Sequence, residues 1–255
     1  MLSTAVSKDC PRTLYHRWWL VLVGALLSTC AWSGSPPESN PSIDTLDRQV
    51  TSKTISGRIT LVSEKGELID DPREFARAVA YFEPADTSEV ELADQRAELT
   101  TARRQFRPRV LLVQAGTEVV FPNEDPILHN VFSSSPGNQF DLGHYGQDPG
   151  KTHRFTTPGL VRVFCNVHPA MSAHIVVVNS PHFIHPNRDG HFRLEDIPAV
   201  AGMLTLWHER SEPKQIRFEP GQTDTDLGEV ELALTVRELR PQRERLRRPA
   251  RRGRY

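Results

Sequence analysis

The chain is short of cysteine. It holds three in 255 residues, Cys10, Cys30 and Cys165, and the first two fall in a segment that reads as an export signal. One remaining cysteine in an exported domain cannot close an internal disulfide. It is therefore either a buried side chain or a thiolate ligand. Long apolar runs are lacking too: the run 18–27 (WWLVLVGALL) has signal-peptide length and is short for a membrane span. With 38% hydrophobic and 25% charged residues the chain is not a polytopic membrane protein, a collagen or a wholly disordered polymer. There are no internal repeats. Glycine (15) is outnumbered by proline (20), and a proline-rich chain with many Val, Thr and Phe leans towards β structure with many turns.

Lys8, Arg12 and Arg17 precede the apolar run, as in a secretory signal. Three outcomes stay open for residues 1–33: cleavage after Ser33, lipidation at the box-like Leu27-Ser28-Thr29-Cys30, or an uncleaved anchor. The region has no Arg-Arg pair, so the expectation is export of an unfolded chain that acquires any cofactor outside the cytoplasm. A periplasmic or otherwise extracytoplasmic location follows, with or without a membrane anchor. The net charge of −1 hides an asymmetry. Residues 236–255 carry nine arginines and two glutamates, or +7, and residues 1–33 carry +2, which leaves 34–235 at −10. An acidic body repels phosphates, so a nucleic-acid partner is not expected.

The expected order is a signal or anchor over 1–33, a Pro/Ser-rich linker over 34–53, a β-sandwich over 54–178, a small β-sandwich over 179–235 and an Arg-rich solvated tail over 236–255. Alternating polarity predicts strands near 55–62, 78–82, 109–114, 118–121, 129–133, 152–156, 161–165 and 173–179, then near 191–194, 204–207 and 227–234. Turn signals separate them, among them Glu64-Lys65-Gly66-Glu67, Pro122-Asn123-Glu124-Asp125-Pro126, Asp148-Pro149-Gly150 and Arg188-Asp189-Gly190. The polar stretch 86–101 has no clear pattern. A sandwich of about 55 residues is marginal alone and is expected to pack on the larger one.

The chemistry concentrates in Cys165-Asn166-Val167-His168-Pro169-Ala170-Met171, a C-x2-H-x2-M spacing, with His129 upstream at the start of a strand. One thiolate, two imidazoles and one thioether form the ligand set of a blue, type 1 copper site, with a trigonal His2Cys plane and a long axial Met. Soft sulfur suits Cu(I) and imidazole suits Cu(II), so the set accommodates both charges. Alone, Met171 would usually be core filling and His129 a hydrogen-bonded histidine. A structural zinc site needs four Cys or His ligands, and a single cysteine argues against it. His182 and His185, an H-x-x-H pair, are a weaker second metal candidate.

Gly116-Thr117-Glu118-Val119-Val120-Phe121-Pro122-Asn123, His129-Asn130-Val131-Phe132-Ser133, Phe155-Thr156-Thr157-Pro158-Gly159 and the Cys165–Met171 loop are together similar to the cupredoxins of the plastocyanin/amicyanin type, over about 54–178. The tight loop spacing looks more like amicyanin. Phe140-Asp141-Leu142-Gly143-His144-Tyr145 and the C-terminal part resemble two-domain proteins often called methylamine utilization proteins. Residues 190–207 resemble the start of a carboxypeptidase-regulatory-like sandwich. The resemblance implies an all-β protein, a cupredoxin Greek-key β-sandwich followed by that smaller one. It implies one copper ion on His129, Cys165, His168 and Met171, with Asn130 bracing the ligand loop.

Three function classes follow. The first is a one-electron carrier, monomeric, with a redox protein such as a cytochrome or dehydrogenase as its partner. The second is a non-redox copper-binding accessory or storage protein whose second sandwich is an interaction module. The third, a copper enzyme, is disfavoured because no His-x-His pair is present for additional copper sites and four ligands leave no open position. The tail or an N-terminal anchor offers contact with an anionic membrane surface.

Overall fold

The computed structural model describes residues 52–88 and 90–235. The expected signal or anchor, most of the linker and the Arg-rich tail lie outside the described residues. What is described is all β apart from one helical turn, α1 (Pro72–Phe75).

Two strands come first, β1 (Ser52–Ser63) and β2 (Ala78–Pro84). β1 buries Ile55, Ile59 and Leu61 on one face and turns Thr54, Ser56, Arg58 and Thr60 outward, the period of two that the pleat imposes. The Glu64–Glu67 turn closes it as expected, with the Ser63 N–H donating to the Glu67 oxygen at 2.8 Å.

Ten strands follow: β3 (Arg96–Glu98), β4 (Thr100–Ala102), β5 (Gln105–Arg107), β6 (Val110–Gln114), β7 (Glu118–Asn123), β8 (His129–Ser133), β9 (Phe140–Tyr145), β10 (Asp148–Arg154), β11 (Gly159–Phe164) and β12 (Ser172–Val178). They form one sandwich. Its first sheet runs β10-β7-β4-β5, with β3 also on β7, and its second runs β6-β12-β11-β8-β9. The unassigned stretch 86–101 thus supplies an edge strand. Asp148-Pro149-Gly150 is a bulge inside β10 and not a turn between strands. Gly150 has φ +124, and a Cβ there would lie 2.6 Å from Val120 Cγ1. Only glycine lets β10 close on β7 there.

The chain ends with β13 (Phe183–Ile184), β14 (His191–Pro198), β15 (Gly202–His208), β16 (Lys214–Phe218) and β17 (Thr225–Leu234). These strands do not form a sandwich by themselves. β1 lies between β14 and β17, and β2 lies between β13 and β15. The expected division at 54–178 and 179–235 is therefore corrected. The smaller sandwich is built from both ends of the described chain, and the sandwich that carries the Cys165–Met171 loop is inserted between β2 and β13. A sequence reading that pairs neighbours in the chain misses this, because β1 and β17 meet in parallel across some 170 residues. Gly190 seals the host sandwich at the expected 188–190 turn. Its oxygen accepts from Ile59 N–H at 2.8 Å, and a Cβ would sit 2.3 Å from the Ile59 oxygen.

Three apolar seams result. Ile55, Ile59, Phe82, Phe192, Leu204 and Leu232 lie in the host core, and Val119, Phe121, Val131, Phe155, Val163 and Ile175 in the core of the inserted sandwich. Val79, Val110, Leu112, Val176, Val178 and Trp207 form a third cluster. They come from the opposite faces of β2, β6, β12 and β15, so these strands are apolar on both faces and weld the two sandwiches together. At about 1.5–3 kcal/mol per fully buried large apolar side chain, this seam contributes as much as a small core. Trp207→Ala is expected to destabilise the protein by about 3 kcal/mol, measured by denaturant unfolding. A loss below about 1 kcal/mol would show that the seam does not hold the sandwiches together.

Candidate metal centre

β8 and β11 are antiparallel neighbours, with Phe132 opposite Phe164. His129 opens β8 and Cys165 directly follows β11, so the pairing brings both to one end of the inserted sandwich. Both are buried, at 0% and 2% exposure. The seven residues from Cys165 to Met171 then turn back into β12. Met171 N–H donates to the His168 oxygen at 2.8 Å, which folds His168 inward over the other two.

The donor atoms converge. Cys165 Sγ lies 3.8 Å from His129 Nδ1, and His168 Nδ1 lies 3.2 Å from the same nitrogen. All three donor atoms fall within 4.8 Å of one another, and no other trio of His, Cys or acidic groups among the described residues is so arranged. The structure thus brings together three of the four expected ligands. Met171, 2% exposed, belongs to the same buried cluster as Cys165. Among the described residues His182 and His185 gather no third donor. The Nδ1 of His185 lies 2.9 Å from the Ala78 carbonyl oxygen.

Sequence reasoning missed Asp125. It was placed in a turn, but its Oδ2 sits 2.9 Å from His129 Nε2. Burial alone would raise its pKa. The N–H groups of Arg104 and Arg103, together with His129, outweigh burial and hold the carboxyl below its ordinary value. An ionised carboxylate only accepts, so Nε2 carries the proton and Nδ1 presents a lone pair towards Cys165 and His168. An acid four residues before a candidate ligand histidine, in the same loop, is the signal that could have found it.

The same carboxylate shapes a second element. Arg103 and Arg104 form the tip of the β4–β5 hairpin with φ of 53° and 57°. Two consecutive arginines in the left-handed region cost about 1–2 kcal/mol each. Their N–H groups donate to Asp125 Oδ1 and Oδ2 at 2.7 and 2.8 Å, which offsets that strain. Asn123 keeps the loop in place: its Oδ1 accepts from Asp125 N–H at 3.0 Å, and its Nδ2 donates to the Ile127 oxygen at 3.0 Å. Asn130 reaches the metal loop from the other side. Its Oδ1 accepts from Asn166 N–H at 3.2 Å, and its Nδ2 donates to Asp141 Oδ1 at 2.7 Å.

His168 is only half-buried, with Val167, Pro169 and Ala170 exposed beside it. Desolvation first, then the nearby His129 and Arg104, push its pKa down, against the opposing pull of Asp125. The neutral imidazole that can bind a cation is thereby favoured. The chemistry of the set, a shielded thiol and two imidazoles on one focus, fits copper.

Comparison with known proteins agrees in part. No family model matches the chain. Over 83 residues it is 30% identical to amicyanin-alpha of Methylorubrum extorquens, which covers 31% of this chain and 70% of that protein. By that match the chain belongs to the amicyanin-like cupredoxins over this stretch, and the remainder lies outside it. Solved structures similar to it include a reduced tryptophan-to-tyrosine mutant of amicyanin (22% identity, 39% of this chain, 98% of that one, TM-score 0.31). A purple cupredoxin from Nitrosopumilus maritimus is another (21%, 32%, 99%, TM-score 0.29).

Asp125→Ala removes the group that orients His129. Metal affinity is expected to fall about 10- to 100-fold in a competition titration, as for other partners of ligating histidines. An unchanged affinity would show that the backbone alone fixes the ring.

Proposed function

We propose that the protein is an exported type 1 copper protein that carries single electrons between redox partners. The observation that supports this best is the meeting of a buried thiol and two imidazole Nδ1 atoms within 4.8 Å of one another. His129, Cys165 and His168 would hold the ion, with Met171 as a further, weaker sulfur donor. Bound there, copper supplies a one-electron change between Cu(II) and Cu(I). The protein's own groups do the rest. Asp125 keeps His129 in one tautomer and one orientation, so little must move when the charge changes. The core around Cys165 and Met171 excludes water from both sulfurs. His168 is the donor nearest the surface, and the exposed Ile127, Leu128 and Val167 give its rim an apolar character suited to brief contact with another protein.

The partner is proposed to be a redox protein, such as a cytochrome or a dehydrogenase, and the working state a monomer outside the cytoplasm. Among the described residues no helix is long and apolar enough to cross a membrane. Storage or delivery of copper needs a site that releases its ion. The buried donors and their fixed hydrogen bonds favour retention instead.

Cu(II) added to the purified chain is expected to produce an intense visible thiolate-to-copper band at one ion per chain. Cys165→Ala is expected to abolish that band while the circular dichroism of the β-sandwiches persists. A wild-type protein without the band would overturn the site assignment.

A further inference from the structure

At one end of the seam between the sandwiches lies a buried cluster of charges. Glu209 directly follows β15 in the host sandwich, and its side chain is 3% exposed. Its Oε2 accepts from Arg109 Nε at 2.7 Å and lies 3.3 Å from His174 Nδ1, while its Oε1 lies 3.3 Å from Arg77 Nη1. Burial alone would raise its pKa, but His174, Arg109 and Arg77 outweigh it and bring it down to about 2. The group is therefore charged, and a charge so buried depends on its partners.

Arg109 belongs to the inserted sandwich, just before β6, and it has a second engagement. Its Nη1 donates to the Ser172 backbone oxygen at 2.7 Å and to the Ser172 hydroxyl at 3.0 Å. Its own backbone oxygen accepts from His174 N–H at 3.0 Å. Ser172 is the residue after Met171. One guanidinium thus ties the end of the metal loop to an acid of the other sandwich through charge-assisted hydrogen bonds. Met171 is held on its N-terminal side by the bond from its own N–H to the His168 oxygen, and on its C-terminal side by Ser172.

We propose that Arg109, anchored by Glu209, is a positioning residue of the metal loop, and that through it the host sandwich sets where the Met171 thioether stands relative to His129, Cys165 and His168. The inference rests on the copper reading above. It gives the host sandwich a role in the site. The thioether is the donor that would tune the potential of such a site, so releasing the loop and letting it move shifts that potential.

The test uses the full chain loaded with copper. Arg109→Met keeps the apolar stem and removes the guanidinium. The double variant R109Q/E209Q removes both charges, so neither is left buried and unpaired. Arg58→Met is the control, because it breaks a surface pair with Glu229 on β1 and β17. Both seam variants are expected to stay folded and bind one copper, with the ratio of reduced to oxidised protein at fixed ambient potential changed about tenfold, or ~59 mV for one electron. The thiolate bands should also change in relative intensity, and the control should move neither readout. A folded, loaded double variant with wild-type potential and spectrum would overturn the inference while a normal wild-type band left the copper reading standing. A wild-type protein without that band would overturn both.

Discussion

The hydrogen bond between Asp125 and His129 is the interaction on which the candidate metal centre depends. It fixes which imidazole nitrogen has a free lone pair, and so makes His129 a donor on the side where Cys165 and His168 lie. The same carboxylate holds the two left-handed arginines of the β4–β5 tip, which would otherwise be strained. Ligand orientation, loop conformation and hairpin geometry therefore share one acceptor. Removing it disturbs all three together, because His129 loses its acceptor and the left-handed arginines lose the hydrogen bonds that offset their strain.

Around this centre the protein is built from strands apolar on both faces. β2, β15, β6 and β12 each contribute to a sandwich core and to the seam between the sandwiches. The inserted sandwich is held at both of its chain ends, since β2 leads into it and β13 leads out of it within the same host sheet. A domain tethered at two adjacent points and packed along a shared seam has little freedom to hinge. That suits the electron-carrying role proposed for the site, which requires the donors to stay still.

Most strands were legible in the sequence, because alternation of polar and apolar residues survives wherever one face meets solvent, as in β1 and β14. The connectivity was not. Nothing local in Ile55 or Leu61 says that their neighbours will be Leu194 and Leu232, so the first two strands were assigned to the wrong sandwich. The metal loop was legible because Cys165, His168 and Met171 are close in sequence and chemically unusual together. Asp125 was hidden among turn residues, where an acid is ordinarily a turn former. The Arg109–Glu209 pair could not be seen at all, since its members are 100 residues apart and each is unremarkable alone.

The central claim is that a thiolate and two imidazoles of this chain bind one copper ion. X-ray absorption at the copper edge of the loaded protein tests it most directly, because it reads the donor atoms themselves. The account predicts one short copper–sulfur scatterer together with the multiple-scattering pattern of two imidazoles. A first shell of nitrogen and oxygen alone, with no sulfur, would contradict it.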